Sequence, residues 1–193
     1  MTASGPLYEF AFRGFLAEEA LDKAGRVHPN VAGALDEVIA QRLGVQALDE
    51  AFVTAARRMA VVYMAIASFE NSVRKLISTI LLEKVGEDWW DKSVSTAIKR
   101  KAEARQKEEE KVKWHTQRGV SPINYTDMGD LGNIIRNAWE HFEAHIPSME
   151  WAGAVLDIVE RSRNVIMHSG SLSSEDVERV GINIRDWVKQ VGA

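Results

Sequence analysis

Histidine, arginine and their spacing carry the chemical possibilities in this sequence. Arg163-Asn164-Val165-Ile166-Met167-His168 joins three useful groups. The planar fork of an arginine holds phosphate. An imidazole moves protons near neutral pH. An asparagine between them donates and accepts, and so orients either group. Asn164 and His168 lie one helical turn apart and share a face. Arg163 is rotated from His168 by about 140° on an ideal helix. Bringing the two together requires the long arginine side chain, or a helix that loosens at Ser169-Gly170. The same pattern occurs at Arg136-Asn137-Ala138-Trp139-Glu140-His141, and spacing alone does not choose between the copies.

Other chemistries find less support. His141 and His145 are four apart, as two zinc ligands on one helix would be, but no third ligand is evident and H-E-x-x-H is absent. The sequence contains no G-x-x-x-x-G-K-[ST], no G-x-G-x-x-G and no G-x-S-x-G. Neither a metal nor a cofactor is expected.

The elements that must position these residues read as helices almost throughout. Apolar residues from about Gln46 to Val85 recur at three- and four-residue steps without a proline. A continuous helix there would be about 60 Å long and would form the backbone of the fold. Val31, Leu35, Val38, Ile39 and Leu43 make a shorter stripe that stops at Gly44. Residues 1–29, with Phe10, Phe12, Phe15, Leu16 and Leu21, suggest one short amphipathic helix. Further helices are expected from Leu131 through Phe142 to near Pro147, from Trp151 to Ser169-Gly170, and after Ser173. Asp176 then stands three residues past Ser173, as in a capping box. Gly119 to Asp127 is expected to be a loop. The fold class is all-α, a helical bundle with one long helix. Residues 1–45 read as an N-terminal helical extension, and residues 46–193 as the main domain.

Composition narrows the function classes. The 193 residues include no cysteine, which excludes disulfide scaffolds, thiol enzymes and cysteine-ligated metal centres. A cysteine-free chain without a basic, apolar leader at its start is expected in the cytoplasm. The most apolar stretch, Val61 to Ala67, falls far short of the about 20 residues of a membrane span. A net charge of −4 argues against coating nucleic acid by bulk charge. However, residues 99–113 carry a net +3, which leaves −7 on the rest of the chain. Trp114 follows that run, so it and Lys111 are candidates to stack on a base and to meet a phosphate.

The wider pattern resembles the HEPN superfamily of α-helical domains found in RNA-cleaving toxins and defence proteins. The resemblance covers roughly residues 60–191. It includes Ser68-Phe69-Glu70-Asn71-Ser72-Val73-Arg74, Gly86-Glu87-Asp88-Trp89-Trp90 and Tyr125-Thr126-Asp127-Met128-Gly129-Asp130-Leu131. It continues through Arg163-Asn164 to His168, Leu172-Ser173-Ser174-Glu175-Asp176-Val177 and Arg185-Asp186-Trp187. It looks like the branch attached to a eukaryotic transcription-associated RNA endonuclease and its bacterial relatives. In that branch the R-x4-6-H motif lies on a late helix just before a turn, which fits Arg163 to His168 and not Arg136 to His141.

The resemblance implies a metal-independent endoribonuclease that leaves a 2′,3′-cyclic phosphate. Arg163 and His168 would be its catalytic pair, Asn164 the polar residue of the motif, and Glu70 the acidic partner. Asn71 and Arg74 would lie near the same face and contact RNA. It also implies a homodimer with two motifs in one cleft. A tyrosine that some HEPN toxins carry two residues after the histidine is replaced here by Gly170. Residues 1–45 match nothing in the family and could bind an antitoxin or regulatory partner. Two alternatives stay open, a non-catalytic dimerisation or interaction module and a nucleotide sensor using the same cleft.

Overall fold

The computed structural model describes residues 31–191, with the backbone alone for 31–35, together with Arg13, Ala17 and Ala20. The expected amphipathic helix within residues 1–29 lies almost wholly outside the described residues. The chain divides into two compact units, residues 1–53 and 54–193.

In the first unit, helix α1 spans Val31–Arg42. Gly44 ends it with a left-handed φ of 66°, as expected of a glycine stop, and a 3₁₀ turn follows at Val45–Ala47. The side chain of Asp49 then accepts the Ala51 N–H at 2.8 Å and opens helix α2, Glu50–Val85.

The second unit is all-α among the described residues. Most of α2 forms its spine, and Ile66, Val73, Ile77 and Leu81 are fully buried along one stripe. The apolar run Val61 to Ala67 suggests no span, but by length and composition alone the whole of α2 is long and apolar enough to cross a membrane, and 22% of its most apolar window is buried. Its Glu70 and Arg74 pair inside the bundle. The short helix α3, Trp89–Ser93, leads to α4, Thr96–Glu110, which Ser95 caps through Ile98 N–H at 3.4 Å. The loop expected over 119–127 contains a 3₁₀ turn at Pro122–Tyr125.

Helix α5, Met128–Asn137, opens on a reciprocal capping box between Asp127 and Asp130. The sequence pattern suggested that this helix runs on to Pro147, but it stops at Asn137. Ala138 leaves helical geometry (φ −118°, ψ 32°), and a 3₁₀ turn, Trp139–His141, follows. This tighter path still delivers Ala138, Phe142 and Ile146 to the core, so the apolar spacing outlasts the helix.

Helix α6, Met149–Met167, is capped by Ser148, and α7 spans Ser174–Val191. As expected, Ser173 caps α7, with its Oγ accepting Asp176 N–H at 3.1 Å. Trp187 of α7 stacks on Trp151 of α6 at 5.5 Å and meets Phe69 of α2 edge-on at 5.6 Å. Together these three rings fasten the helices that carry the candidate residues.

Candidate active site

Two helices meet at the charged centre of the second unit. From α2 comes Glu70, 7% exposed. Its Oε1 accepts from Arg74 Nη2, one turn along the same helix. From α6 comes Arg163, whose Nε lies 3.4 Å from the other oxygen, Glu70 Oε2. One buried carboxylate therefore bridges two guanidinium groups from different helices. The side chain of Arg74 is 16% exposed and that of Arg163 is 34% exposed, so Arg163 is the member of the trio that faces solvent more.

Arg74 is turned inward. Nη2 also donates to the Thr126 carbonyl at 2.9 Å, and Nη1 donates to Asn71 Oδ1 at 3.1 Å. These partners hold Glu70 in place and leave Arg74 little capacity to meet RNA directly.

The end of α6 has a definite construction. Met167 is the last helical residue and His168 is the C-cap. Ser169 takes a left-handed φ of 60°. Its N–H donates to Ile166 O at 2.9 Å, and Gly170 N–H donates to Val165 O at 2.9 Å, which is a Schellman ending. A Cβ on residue 170 would stand 2.8 Å from Val165 O, so the ending has no room for a side chain where some HEPN toxins carry tyrosine.

His168 and Asn164 are both exposed on the last turn of α6. No hydrogen bond or ion pair joins the His168 ring to Arg163 among the described residues. A single chain thus brings Glu70, Arg74 and Arg163 into contact and leaves His168 exposed at the end of α6, five residues beyond Arg163. Val165 and Met167, 40% and 53% exposed, flank it.

The second R-N-x-x-x-H copy is broken by the fold. Arg136 sits on the last turn of α5 and bonds Asn133 at 3.2 Å, whereas His141 belongs to the 3₁₀ turn beside Glu140.

Trp114 is 85% exposed and meets the His115 ring edge-on at 5.5 Å. Lys111 pairs with Glu108 at 2.5 Å, both well exposed. Much of the positive run is paired in the same way, because Lys107 meets Glu103, Lys99 meets Asp91, and Arg105 and Lys101 meet Asp127 and Asp130.

Several neighbours of the site were not singled out by their residue types. Arg105 Nη2 donates to Asp127 Oδ2 at 2.8 Å, and this bond is the main cause that holds the guanidinium still further above its ordinary range. Burial alone would push the Asp127 carboxyl up, but the Arg105 and Asp130 hydrogen bonds together hold it below the usual carboxylate range. Glu160, one turn before Arg163, moves the other way. Burial and the nearby Asp127 charge raise its carboxyl above the ordinary value, against the opposing pull of Gly129 N–H and Arg163. The available signal was Asp127-x-x-Asp130, a capping box that marks where α5 begins beside the site.

A family model described as Swt1-like HEPN matches residues 64–192. No curated protein and no solved structure matches the chain. The matched span holds Glu70, Arg74, Arg163 and His168.

Proposed function

Because the chain belongs to the Swt1-like HEPN family, we propose that it is a metal-independent endoribonuclease. The observation that supports this most is the Glu70 bridge, which orients Arg163 from a second helix just before His168. Arg163 holds the scissile phosphate and offsets the charge that grows on its oxygens. His168 takes the proton of the neighbouring 2′-hydroxyl. The 2′-oxygen then bonds to phosphorus, the bond to the 5′-oxygen breaks, and that oxygen takes up a proton. The products are a 2′,3′-cyclic phosphate and a 5′-hydroxyl. Asn164, exposed on the face of His168, orients the ribose or the phosphate.

The working form is a homodimer in which the two α6 ends share a cleft. Exposed Val165 and Met167 beside His168 suit such a contact. A second His168 then stands ready to protonate the leaving oxygen. Trp114 and Lys111 guide the RNA strand by stacking and charge, and Asn71, exposed beside Arg74, contacts the strand as well. The same reading includes a toxin or defence role in the cytoplasm, with an antitoxin or regulatory partner on residues 1–45. The test is incubation of purified protein with RNA in EDTA, followed by end-group analysis. Fragments ending in 2′,3′-cyclic phosphate are expected. Fragments ending in 3′-hydroxyl, or cleavage that needs added metal, would refute the mechanism.

A further inference from the structure

Two guanidinium groups from different helices hold consecutive backbone carbonyls. Arg105 of α4 donates to Tyr125 O at 2.6 Å, and Arg74 of α2 donates to Thr126 O at 2.9 Å. Each group then engages carboxylates. Arg105 reaches Asp127 at 2.8 Å and Asp130 at 3.4 Å, and Arg74 reaches Glu70. The turn between them is fixed from within as well. Thr126 Oγ1 donates to Ile123 O at 2.7 Å, and Asp127 Oδ1 accepts Asp130 N–H at 2.8 Å.

The far side of this turn faces α6. A Cβ on Gly129 would stand 3.6 Å from Glu160 Oε2, so the start of α5 packs directly on that carboxylate. Arg163 has two acidic neighbours, Glu70 in an ion pair and Glu160 one turn before it on α6 within electrostatic reach, and both lean on residues 125–130. Glu70 does so through Arg74, and Glu160 does so through Gly129. Among the described residues no hydrogen bond or ion pair joins Arg105 to Glu70 or Arg163, yet Arg105 anchors the turn on which both carboxylates rest.

We propose that Arg105 is a positioning residue for Arg163, acting through the 125–130 turn. This rests on the reading in which Arg163 holds the scissile phosphate, and the test keeps the two ideas apart. In the full chain, the Arg163 Nε–Hε resonance is observed by ¹⁵N NMR and assigned through its loss in Arg163→Lys. Arg105→Gln should shift or broaden that resonance. Arg105→Lys keeps the charge but not the fork, so it should cause a smaller change, and it serves where Arg105→Gln fails to fold. Ile98→Val, in the core of the same helix, should lower the melting temperature without moving the resonance. In RNA cleavage, kcat of Arg105→Gln should fall about tenfold or more, with KM within about twofold. An unmoved Arg163 resonance in the folded Arg105 variants would overturn the proposal, whatever the activity. A moved resonance in a protein whose wild type cleaves no RNA would uphold the positioning and refute the nuclease reading.

Discussion

Replacing Glu70 with glutamine removes one negative charge and keeps the side-chain shape. The carboxylate side chain is only 9% exposed and faces Arg74 on one side and Arg163 on the other. Removing one partner of a buried ion pair costs about 3–5 kcal/mol, because the other charge stays buried. Arg74, 16% exposed, is in that position. It retains Thr126 O and Asn71, which places the cost at the lower end, about 3 kcal/mol. Arg163 adds less. It is 34% exposed at 3.4 Å, so its pairing should contribute about 1 kcal/mol or below. In a chain of this size, 3 kcal/mol lowers the melting temperature by roughly 6–12 °C. Urea unfolding and a double-mutant cycle measure both terms. Glu70 should couple more strongly to Arg74 than to Arg163. A loss below about 1 kcal/mol, or a stronger coupling to Arg163, would refute the assignment of Glu70 as a buried bridge.

Four further outcomes follow from the geometry. Asp127→Asn should destabilise at pH 7, and its difference from wild type should shrink on acidification. The native carboxyl lies below its ordinary value, so its contribution is present above that range and lost as pH falls through the lowered one. Glu160→Gln should show the opposite sign. Its native value is raised, so ionisation costs the folded state as pH rises past the ordinary range. The variant should therefore gain on wild type at neutral pH and lose that gain near pH 4, as read by denaturant midpoints across pH. Ser169→Gly relieves a left-handed φ of 60° and should stabilise by about 0.5–1 kcal/mol in thermal unfolding. Trp114→Ala, at an 85% exposed position, should change stability by less than about 0.5 kcal/mol. It should still weaken RNA binding in a filter or anisotropy assay by about 1–3 kcal/mol if the ring stacks on a base.

Helix periodicity made most of the architecture legible. The long α2, the stop at Gly44 and the Ser173 cap follow from local rules that need no distant partner. The end of α5 did not, because its apolar spacing continues to Phe142 although the chain leaves helical geometry at Ala138. Burial fixes which residues point inward, and a 3₁₀ turn satisfies that spacing as well as an α-helix does. Resemblance pointed to Glu70 as the partner of Arg163, and the two side chains do meet across helices. The same resemblance put Arg74 on the RNA surface, whereas its two terminal nitrogens face Glu70, Asn71 and a backbone carbonyl. Residue types alone could not show this, since an arginine one turn from a glutamate reads equally well as a surface pair. Arg105 and Glu160 were hidden for a related reason. Their roles depend on where the 125–130 turn lies in space, and the charge run over residues 99–113 masks Arg105 among ten other charges.

In the proposed reaction the exposed histidine at the end of α6 does chemistry on RNA. The most direct measurement is the initial rate of RNA cleavage in EDTA by His168→Ala relative to wild type at equal concentration. Loss of general acid–base catalysis predicts a fall of about 10²–10⁴-fold in a protein with an unchanged melting temperature. A His168→Ala variant that cleaves as fast as wild type would show that this imidazole takes no part in the cleavage.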